Sequence, residues 1–286
     1  MRGARPFAAL EAAVGEAVAA RSGEVLVAAV SGGPDSAALA ALLAGCAARA
    51  GGTLVLAHVN HGLRRSAWQD EAVALSLGAA LGARVVTAAL PPGPASEERL
   101  RDERYTALAT LAARAGGRRV FTAHHARDQA ETVLLALFRG TGPDGLAGMP
   151  AARAFGDGLE LVRPLLEIAP GELAAFADSQ HLPYALDPSN ADPGYRRNAL
   201  RLALAELRSS FPDLDAAVAR CAAIVRSERA AEPRALLRAE LRAALGEAGA
   251  GTRDIPFERL DAAARAIERG GTGRLFLRHG VELVVE

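Results

Sequence analysis

The sequence of 286 residues contains no lysine, so all 33 of its basic side chains are arginines. A side chain that clamps phosphate with positive charge must therefore be arginine or histidine. Only two cysteines are present, Cys46 and Cys221, and they stand far apart in apolar helical patterns. This spacing excludes a disulfide framework and a Cys-x-x-Cys site for a metal or cluster. We expect a reducing compartment.

Long hydrophobic runs are also missing. The longest, Ala37–Ala48, is too short to cross a bilayer, so we expect no membrane partner. No continuous apolar segment follows the first basic residues, and we expect no signal peptide and a cytoplasmic location. The formal net charge is zero, so a nucleic-acid partner would need a local basic patch.

The most informative stretch is Val25–Ser36, with the sequence V-L-V-A-A-V-S-G-G-P-D-S. Its first half is typical of a buried parallel strand, and an apolar helical pattern follows it. Gly32 and Gly33 allow backbone N–H groups to approach an anion at a helix N-terminus. We therefore predict a phosphate site, which comprises Ser31, Gly32, Gly33, Pro34, Asp35 and Ser36. A small-residue turn between strand and helix is the alternative, and the Walker A spacing is absent.

Strands alternate with helices in the first half of the chain. The predicted strands are Val25–Val30, Thr53–Val59, Arg84–Leu90 and Arg119–His124. This order predicts an α/β fold with a doubly wound, mainly parallel sheet. The segments Ser31–Ser36, Asn60–Arg64 and His124–Glu131 follow strands and should meet at the carboxyl edge of the sheet.

The second half carries weaker patterns. Gly140–Pro150 reads as a glycine-rich loop and Leu161–Pro164 as a further strand. We expect a catalytic domain over residues 1–210, a connecting helix over 211–230 and a small C-terminal α+β domain over 231–286. His279-Gly280 separates two apolar runs and predicts a hairpin turn in that small domain.

Carboxylates stand at the predicted phosphate site. Asp128 and Glu131 are three residues apart at the start of a helix, so they share one side of it. Asp35 and Asp128 fit Mg²⁺ beside a bound polyphosphate, and Glu131 could hold an amine or accept its proton. The alternative is that Asp128 and Glu131 only complement the helix dipole.

Arginines are grouped at two places in the predicted helices. Arg101, Arg104 and Tyr105 lie on a predicted helix, where a solvated face paired with acids such as Glu97 is the ordinary interpretation. By contrast, Arg196, Arg197 and Arg201 begin a helix, where cations oppose the dipole. That placement suggests an anionic partner, either phosphate or the acids Asp187 and Asp192. The histidine pairs His58/His61 and His124/His125 lack metal-site spacing.

Seven motifs occur in one order along the chain. They are S-G-G-P-D-S at Ser31, H-V-N-H-G-L-R at His58, E-x-x-x-R-x-x-R-Y at Glu97, A-H-H-A-R-D-Q-A-E-T-V-L-L at Ala123, G-L-A-G-M at Gly145, V-R-P-L-L at Val162 and D-x-S-N-x-D-x-x-Y-x-R-N-x-x-R at Asp187. Together they resemble the tRNA(Ile)-lysidine synthetase family of pyrophosphate-loop ATP pyrophosphatases. The resemblance covers residues 20–208 strongly and implies an adenine-nucleotide α-hydrolase-like fold.

The resemblance implies an activity. The family uses ATP to adenylate the C2 oxygen of the wobble cytidine in CAU-anticodon tRNA(Ile), and the ε-amine of L-lysine then displaces AMP to form lysidine. The implied partners are this tRNA, L-lysine and ATP, with Mg²⁺; a homodimer is left open. We expect the small C-terminal domain to contact tRNA.

Roles follow from the motifs by resemblance. Ser31, Gly32, Gly33, Pro34 and Ser36 would hold the nucleotide, together with His61 and Arg64. Asp35 and Asp128 would hold Mg²⁺, and Glu131 would orient and deprotonate the lysine amine. Arg104 and Arg197 would contact phosphates or stabilise charge that develops during adenylation. The sequence departs from the family at Arg127, where the family usually has an acid.

Other interpretations stay open at this point. A tRNA thiolase of the same superfamily would need a reactive cysteine pair or a metal cluster. A GMP or NAD synthetase would share the phosphate loop but not the other motifs. A non-catalytic nucleotide- or RNA-binding module would have no need of Asp35, Asp128 and Glu131.

Overall fold

Parallel strands followed by helices build a six-stranded sheet in the computed structural model of this chain. The strands are β1 (Val25–Ala29), β2 (Thr53–Asn60), β3 (Arg84–Ala89), β4 (Arg119–Phe121), β5 (Ala152–Ala154) and β6 (Glu160–Val162). Their order in the sheet is β3-β2-β1-β4-β6-β5, and of the described strands in this sheet only β5 runs antiparallel to its neighbour. The predicted doubly wound, mainly parallel α/β sheet is confirmed.

The structure describes residues 7–18, 23–60, 67–90, 97–156, 158–186, 196–231, 237–238, 240–241, 244–245, 257–270, 273–278 and 281–285. The chain divides into two units. The first unit comprises residues 1–135 and 149–219, and the second comprises residues 136–148 and 220–286.

Helices flank the strands along the chain. Those before the sixth strand are α1 (Ala8–Val18), α2 (Pro34–Ala50), α3 (Ala67–Leu81), α4 (Glu97–Ala115), α5 (Ala126–Phe138) and the single turn α6 (Pro143–Leu146). Those after it are α7 (Pro170–Ser179), α8 (Arg196–Ser210), α9 (Leu214–Ala231) and α10 (Phe257–Glu268). None of the helices in the described ranges is long and apolar enough to cross a membrane.

The central strands of the sheet are covered on both faces, and alternate side chains of one strand enter two different cores. On one face, Leu26 joins a core with residues of α1, α2, α3 and α7, such as Leu39 and Leu173. On the other face, the adjacent Val27 packs with Val120 and residues of α4 such as Tyr105. Near-continuous apolar strands are therefore what this sheet requires.

The structure corrects several sequence expectations. Strand β4 ends at Phe121 instead of His124, so Thr122–His125 form a connection before α5. Strand β5 was not predicted, because its three residues are all exposed and carry no alternating pattern. The expected loop Gly140–Pro150 contains α6. Strand β6 stops before Pro164, which cannot donate a ladder hydrogen bond.

Arg119 ties α1 to the amino end of β4. Its Nε and Nη2 donate to the Glu24 carboxylate at 2.7 and 2.5 Å. The same guanidinium donates to the carbonyls of Ala17 at 3.1 Å and Val18 at 2.6 Å. These carbonyls belong to the last turn of α1, where a cation complements the helix dipole.

The second unit has its own small core. It is built from α10 and from β7 (Gly273–Arg278), with Leu241 and Leu245. Helix α10 contributes Leu260, Ala263 and Ala264, and β7 contributes Leu277. Strand β7 pairs antiparallel with β8 (Val281–Val285). The hairpin turn predicted at His279-Gly280 lies outside the described residues.

Candidate active site

The loop between β1 and α2 is closed by its own serines. The Ser36 hydroxyl donates to the Gly33 carbonyl at 3.0 Å and accepts from the Ser31 backbone N–H at 3.2 Å. Gly33 is the N-cap of α2, Pro34 follows it, and no described side chain caps this helix start. The first N–H groups of α2 are therefore placed to meet an anion.

Gly32 needs the conformational freedom of glycine. Its φ of +95° lies in the left-handed region, and its carbonyl accepts from the Ala185 N–H at 2.8 Å. A Cβ on Gly32 would lie 3.5 Å from Asp70 of α3, which is ordinary contact. The backbone conformation, rather than lack of space, therefore calls for glycine here.

His125 lies between two carboxylates from different elements. Its Nε2 is 3.6 Å from Asp35 Oδ2, and its Nδ1 is 3.4 Å from Asp128 Oδ2. The His125 backbone N–H also donates to Asp128 Oδ2 at 3.2 Å. Asp35 belongs to the first turn of α2 and Asp128 to the first turn of α5, so the carboxyl ends of β1 and β4 bring them together.

The charges of this trio support each other. Burial disfavours the imidazolium, but hydrogen bonding to Asp35 and the charges of Asp128 and Asp35 outweigh it, so the pKa of His125 is raised. Burial likewise opposes ionisation of Asp128, but the neighbouring histidines, the His125 N–H and Arg197 bring its net pKa below the ordinary value. Asp128 is therefore a carboxylate at neutral pH.

Glu131 is fully buried and surrounded by arginines of α8. Arg201 donates to both of its oxygens, from Nε to Oε1 at 2.8 Å and from Nη2 to Oε2 at 3.0 Å. Arg197 Nε lies 3.7 Å from Oε2 and Arg208 Nη2 lies 3.9 Å from Oε1. Arg201 also lies 3.8 Å from Asp128. A buried charge requires such partners.

This ion-pair network continues to the start of α9. Arg208 donates to both oxygens of Asp215, at 3.0 Å from Nε and 2.9 Å from Nη2. Arg127 donates to the same carboxylate at 3.3 Å. The arginine that departs from the family pattern is therefore paired with Asp215.

Arg104 approaches the site beside His124. Burial and the charges of Arg163, Arg104 and Arg101 outweigh the attraction of Asp128 and lower the pKa of His124 to about 3. The neutral ring bonds to the Thr122 hydroxyl at 2.8 Å through Nδ1. The charge of Arg104 thus acts on the same ring as the charge of Asp128.

The predicted site residues divide into three groups. The loop residues Ser31–Ser36, with Asp128, Glu131 and Arg197, come together at the carboxyl edge of the sheet. Arg104 lies on α4, and its charge acts on His124. His61 and Arg64 lie outside the described residues, as do Asp187 and Asp192, the acids expected near the α8 arginines.

Sequence reasoning missed several residues of this site. His125 is not predicted as a site residue, because the sequence around it lacks the spacing of metal ligands. Its position directly after a strand is nevertheless a signal. Arg201 was expected to need an anion, yet Glu131 was not recognised as that anion. Arg208 carried no signal, because nothing in its helical pattern distinguishes it from a solvated arginine.

The donor set fits a magnesium ion that is shared with phosphates. Asp35 and Asp128 supply carboxylate oxygens, which Mg²⁺ prefers, on two sides of His125. Among the described residues, no group of three or more His, Cys, Asp or Glu side chains could hold a metal ion alone. Substrate oxygens and water would have to complete its coordination.

Comparison with known proteins identifies the family. A PP-loop domain model matches residues 8–207. The tRNA(Ile)-lysidine synthase of Salinispora arenicola is 42% identical over 238 residues, which cover 80% of this chain and 70% of that protein. The chain belongs to the tRNA(Ile)-lysidine synthase family. Its relative from Ralstonia nicotianae is 44% identical over 201 residues, 68% of this chain, and this match spans only 43% of that protein.

A solved structure shows the same fold outside the family. The U34-tRNA thiolase NcsA from Methanococcus maripaludis, with its [4Fe-4S] cluster, aligns with a TM-score of 0.64. The alignment covers 76% of this chain and 78% of the thiolase, at 16% sequence identity. At that identity the likeness concerns the fold alone. In the present chain both cysteines are free: Cys46 is buried and Cys221 is exposed.

Proposed function

We propose that this protein ligates L-lysine to C2 of the wobble cytidine of CAU-anticodon tRNA(Ile), at the expense of ATP. In the first step, the cytidine C2 oxygen attacks the α-phosphorus of ATP and pyrophosphate leaves. In the second step, the lysine ε-amine attacks C2, AMP leaves with the C2 oxygen, and the amine releases a proton. The product is lysidine.

One observation carries this proposal. Three carboxylates from two separate motifs meet at the phosphate loop, with Asp35 and Asp128 on either side of His125 and Glu131 one turn further along α5. A phosphate loop alone would serve any nucleotide-binding protein. Three carboxylates beside it suit a reaction that joins a charged nucleotide to an amine.

The loop would receive the phosphates of ATP. The N–H groups at the start of α2 and the Ser31 and Ser36 hydroxyls are its donors, and Gly32, Gly33 and Pro34 shape its backbone. Asp35 and Asp128 would hold Mg²⁺, which when bound neutralises phosphate charge and favours departure of pyrophosphate. Arg104 and Arg197 would stabilise charge that develops at the α-phosphate. We keep His61 and Arg64 as nucleotide contacts on the basis of their motif.

Glu131 would receive the lysine amine. In the structure its two oxygens are taken by Arg201, a cation like the lysine ammonium. The amine must therefore displace Arg201 from at least one oxygen before Glu131 can orient it or accept its proton. Arg197 and Arg208, at 3.7 and 3.9 Å, would continue to neutralise the carboxylate during this exchange.

The remaining parts of the proposal concern organisation. We propose a catalytic domain over residues 1–210, a connecting helix over 211–230 and a tRNA-contacting domain over 231–286, acting in the cytoplasm. Sedimentation of the protein with tRNA would show whether one copy or a homodimer binds.

The test is incorporation of labelled lysine into a CAU-anticodon tRNA(Ile) transcript with ATP and Mg²⁺. A transcript with a changed wobble base is the matched control. Label that requires both ATP and the wobble cytidine supports lysidine formation. Release of AMP and pyrophosphate without label would point to another nucleophile, and neither label nor AMP would favour a binding module.

A further inference from the structure

Four arginines surround one tyrosine near the proposed site. Arg101 and Arg104 of α4 and Arg153 of β5 place their guanidinium carbons 5.3, 5.4 and 5.4 Å from the centroid of the Tyr105 ring. Arg163, directly after β6, approaches the Tyr105 hydroxyl and helps to lower the pKa of that phenol. We call Arg101, Arg104, Arg153 and Arg163 the arginine cluster.

The arginine cluster has no counter-ion among the described side chains. None of its members forms an ion pair with a described carboxylate, whereas Arg99 on the same helix pairs with Glu103 at 2.7 Å. The Nε atoms of Arg104 and Arg163 are buried without a hydrogen-bond partner among the described residues. Arg163 is only 2% exposed, and its Nη1 donates to the Pro150 carbonyl at 2.9 Å. Like charges gathered in this way favour a bound anion.

The position of the cluster relates it to the reaction. Helix α4 starts after β3 and β6 precedes Arg163, so both bring arginines to the carboxyl edge of the sheet. Arg163, Arg104 and Arg101 lower the pKa of His124, and the charge of Asp128 acts on the same ring. The cluster and Asp128 therefore both act electrostatically on His124.

We propose that the arginine cluster binds the phosphodiester backbone of the RNA next to the reacting nucleotide. This inference rests on the proposed function and deepens it. With zero net charge, the chain must attract RNA through a local group of cations. Arg153 is exposed and Arg101 and Arg104 are half-buried, so several guanidiniums face solvent around Tyr105. One amino-acid carboxylate would need only a single guanidinium fork, whereas a strand offers repeated phosphates.

The test measures the salt dependence of tRNA binding without lysine or ATP. Each phosphate contact contributes about 0.7 to the slope of log K against log salt for single strands. We expect Arg101→Gln and Arg153→Gln each to lower the slope by about that amount, equally for CAU tRNA(Ile) and another tRNA. Arg84→Gln is the matched control, because Arg84 is exposed at the amino end of β3, at the opposite edge of the sheet. Its slope should equal that of the wild type.

The outcomes are distinct. Unchanged slopes for both cluster variants, with urea unfolding like that of the wild type, would overturn the inference. An increased KM for lysine with an unchanged slope would also overturn it and assign the cluster to the amino-acid carboxylate. If the wild type binds tRNA with the expected slopes but transfers no lysine, the proposed function fails while the RNA-binding cluster stands.

Discussion

Glu131 and Arg201 form a two-point ion pair that fixes α8 against α5, with Nε–Oε1 and Nη2–Oε2 distances of 2.8 and 3.0 Å. Hydrogen bonding to this carboxylate holds the pKa of Arg201 above its ordinary value. Glu131 is inaccessible to solvent and Arg201 is 29% exposed. The pair therefore links α5, which bears Asp128 and Glu131, to α8, which bears the arginines.

A double-mutant cycle measures this link. Because Glu131 is buried, Glu131→Gln should reduce the free energy of unfolding by about 2 kcal/mol. The coupling between Glu131→Gln and Arg201→Gln should be about 1–3 kcal/mol in urea unfolding. The solvent-exposed pair of Arg99 and Glu103 is the control, with an expected coupling of about 0.5 kcal/mol or less. Equal couplings in the two cycles would contradict the importance of burial.

Glu131→Gln also tests the proposed chemistry. The amide keeps the shape of the side chain but cannot accept a proton from the lysine ammonium. Lysine transfer should fall roughly 100-fold or more, while ATP binding measured by calorimetry stays near the wild-type value. Transfer at the wild-type rate would remove Glu131 from the mechanism.

Substitution of the two glycines of the phosphate loop should have different effects on stability. Gly32→Ala places an L-residue at φ +95°, which should cost about 1–2 kcal/mol of unfolding free energy. Gly33 has a φ of −84°, and a Cβ there would lie 3.7 Å from the Ser31 hydroxyl oxygen. Gly33→Ala should therefore leave the unfolding free energy close to that of the wild type. Equal losses in both variants would show that backbone conformation is not the cause.

Asp128→Asn should alter the magnesium requirement. Loss of one carboxylate charge should raise the Mg²⁺ concentration for half-maximal pyrophosphate release by about tenfold, which corresponds to about 1.4 kcal/mol. Asp102→Asn, an exposed change on α4, is the control and should leave the requirement unchanged. An unaltered Mg²⁺ dependence in Asp128→Asn would exclude Asp128 as a ligand.

Tyr105 reports the positive potential of the arginine cluster. Burial raises the pKa of this phenol, but Arg101, Arg104 and Arg163 outweigh burial and bring it below the ordinary value of 10.0. Its ionisation therefore stabilises the folded state fully above pH 10.0, and this contribution is lost as the pH falls through the folded pKa. The difference in phenolate absorbance between the wild type and Tyr105→Phe should begin to rise below pH 10.0. In the Arg101→Gln background, the same rise should occur at a higher pH than in the wild type. A Tyr105 signal that appears only above pH 10.0 would contradict this arrangement.

The sequence predicts those parts of the site whose causes are local. Ser31–Ser36 could be recognised because a strand, a glycine pair and a helix start follow within twelve residues. Asp35 and Asp128 could be expected to meet, because the carboxyl ends of parallel strands share one edge. The sheet was predictable for the same reason, since buried strands alternate with helices.

The rest depends on contacts between distant residues. Arg201 and Glu131 are separated by 70 residues, and the sequence indicates only that a cation at a helix start needs an anion. The arginine cluster joins α4, β5 and β6, and three exposed residues in β5 give no hydrophobic pattern. Such groupings follow from packing, which spacing along one element does not encode.

The hydrogen bonds from Arg119 to the end of α1 join residues that are synthesised at different times. The Arg119 partners Ala17, Val18 and Glu24 lie 102, 101 and 95 residues earlier in the sequence. During synthesis these hydrogen bonds can form only after β4, which contains Arg119, has left the ribosome. The entropy cost of closing a loop of that length must be met before the contact can stabilise the fold. Helix α1 therefore gains these hydrogen bonds only after the intervening strands and helices have been made.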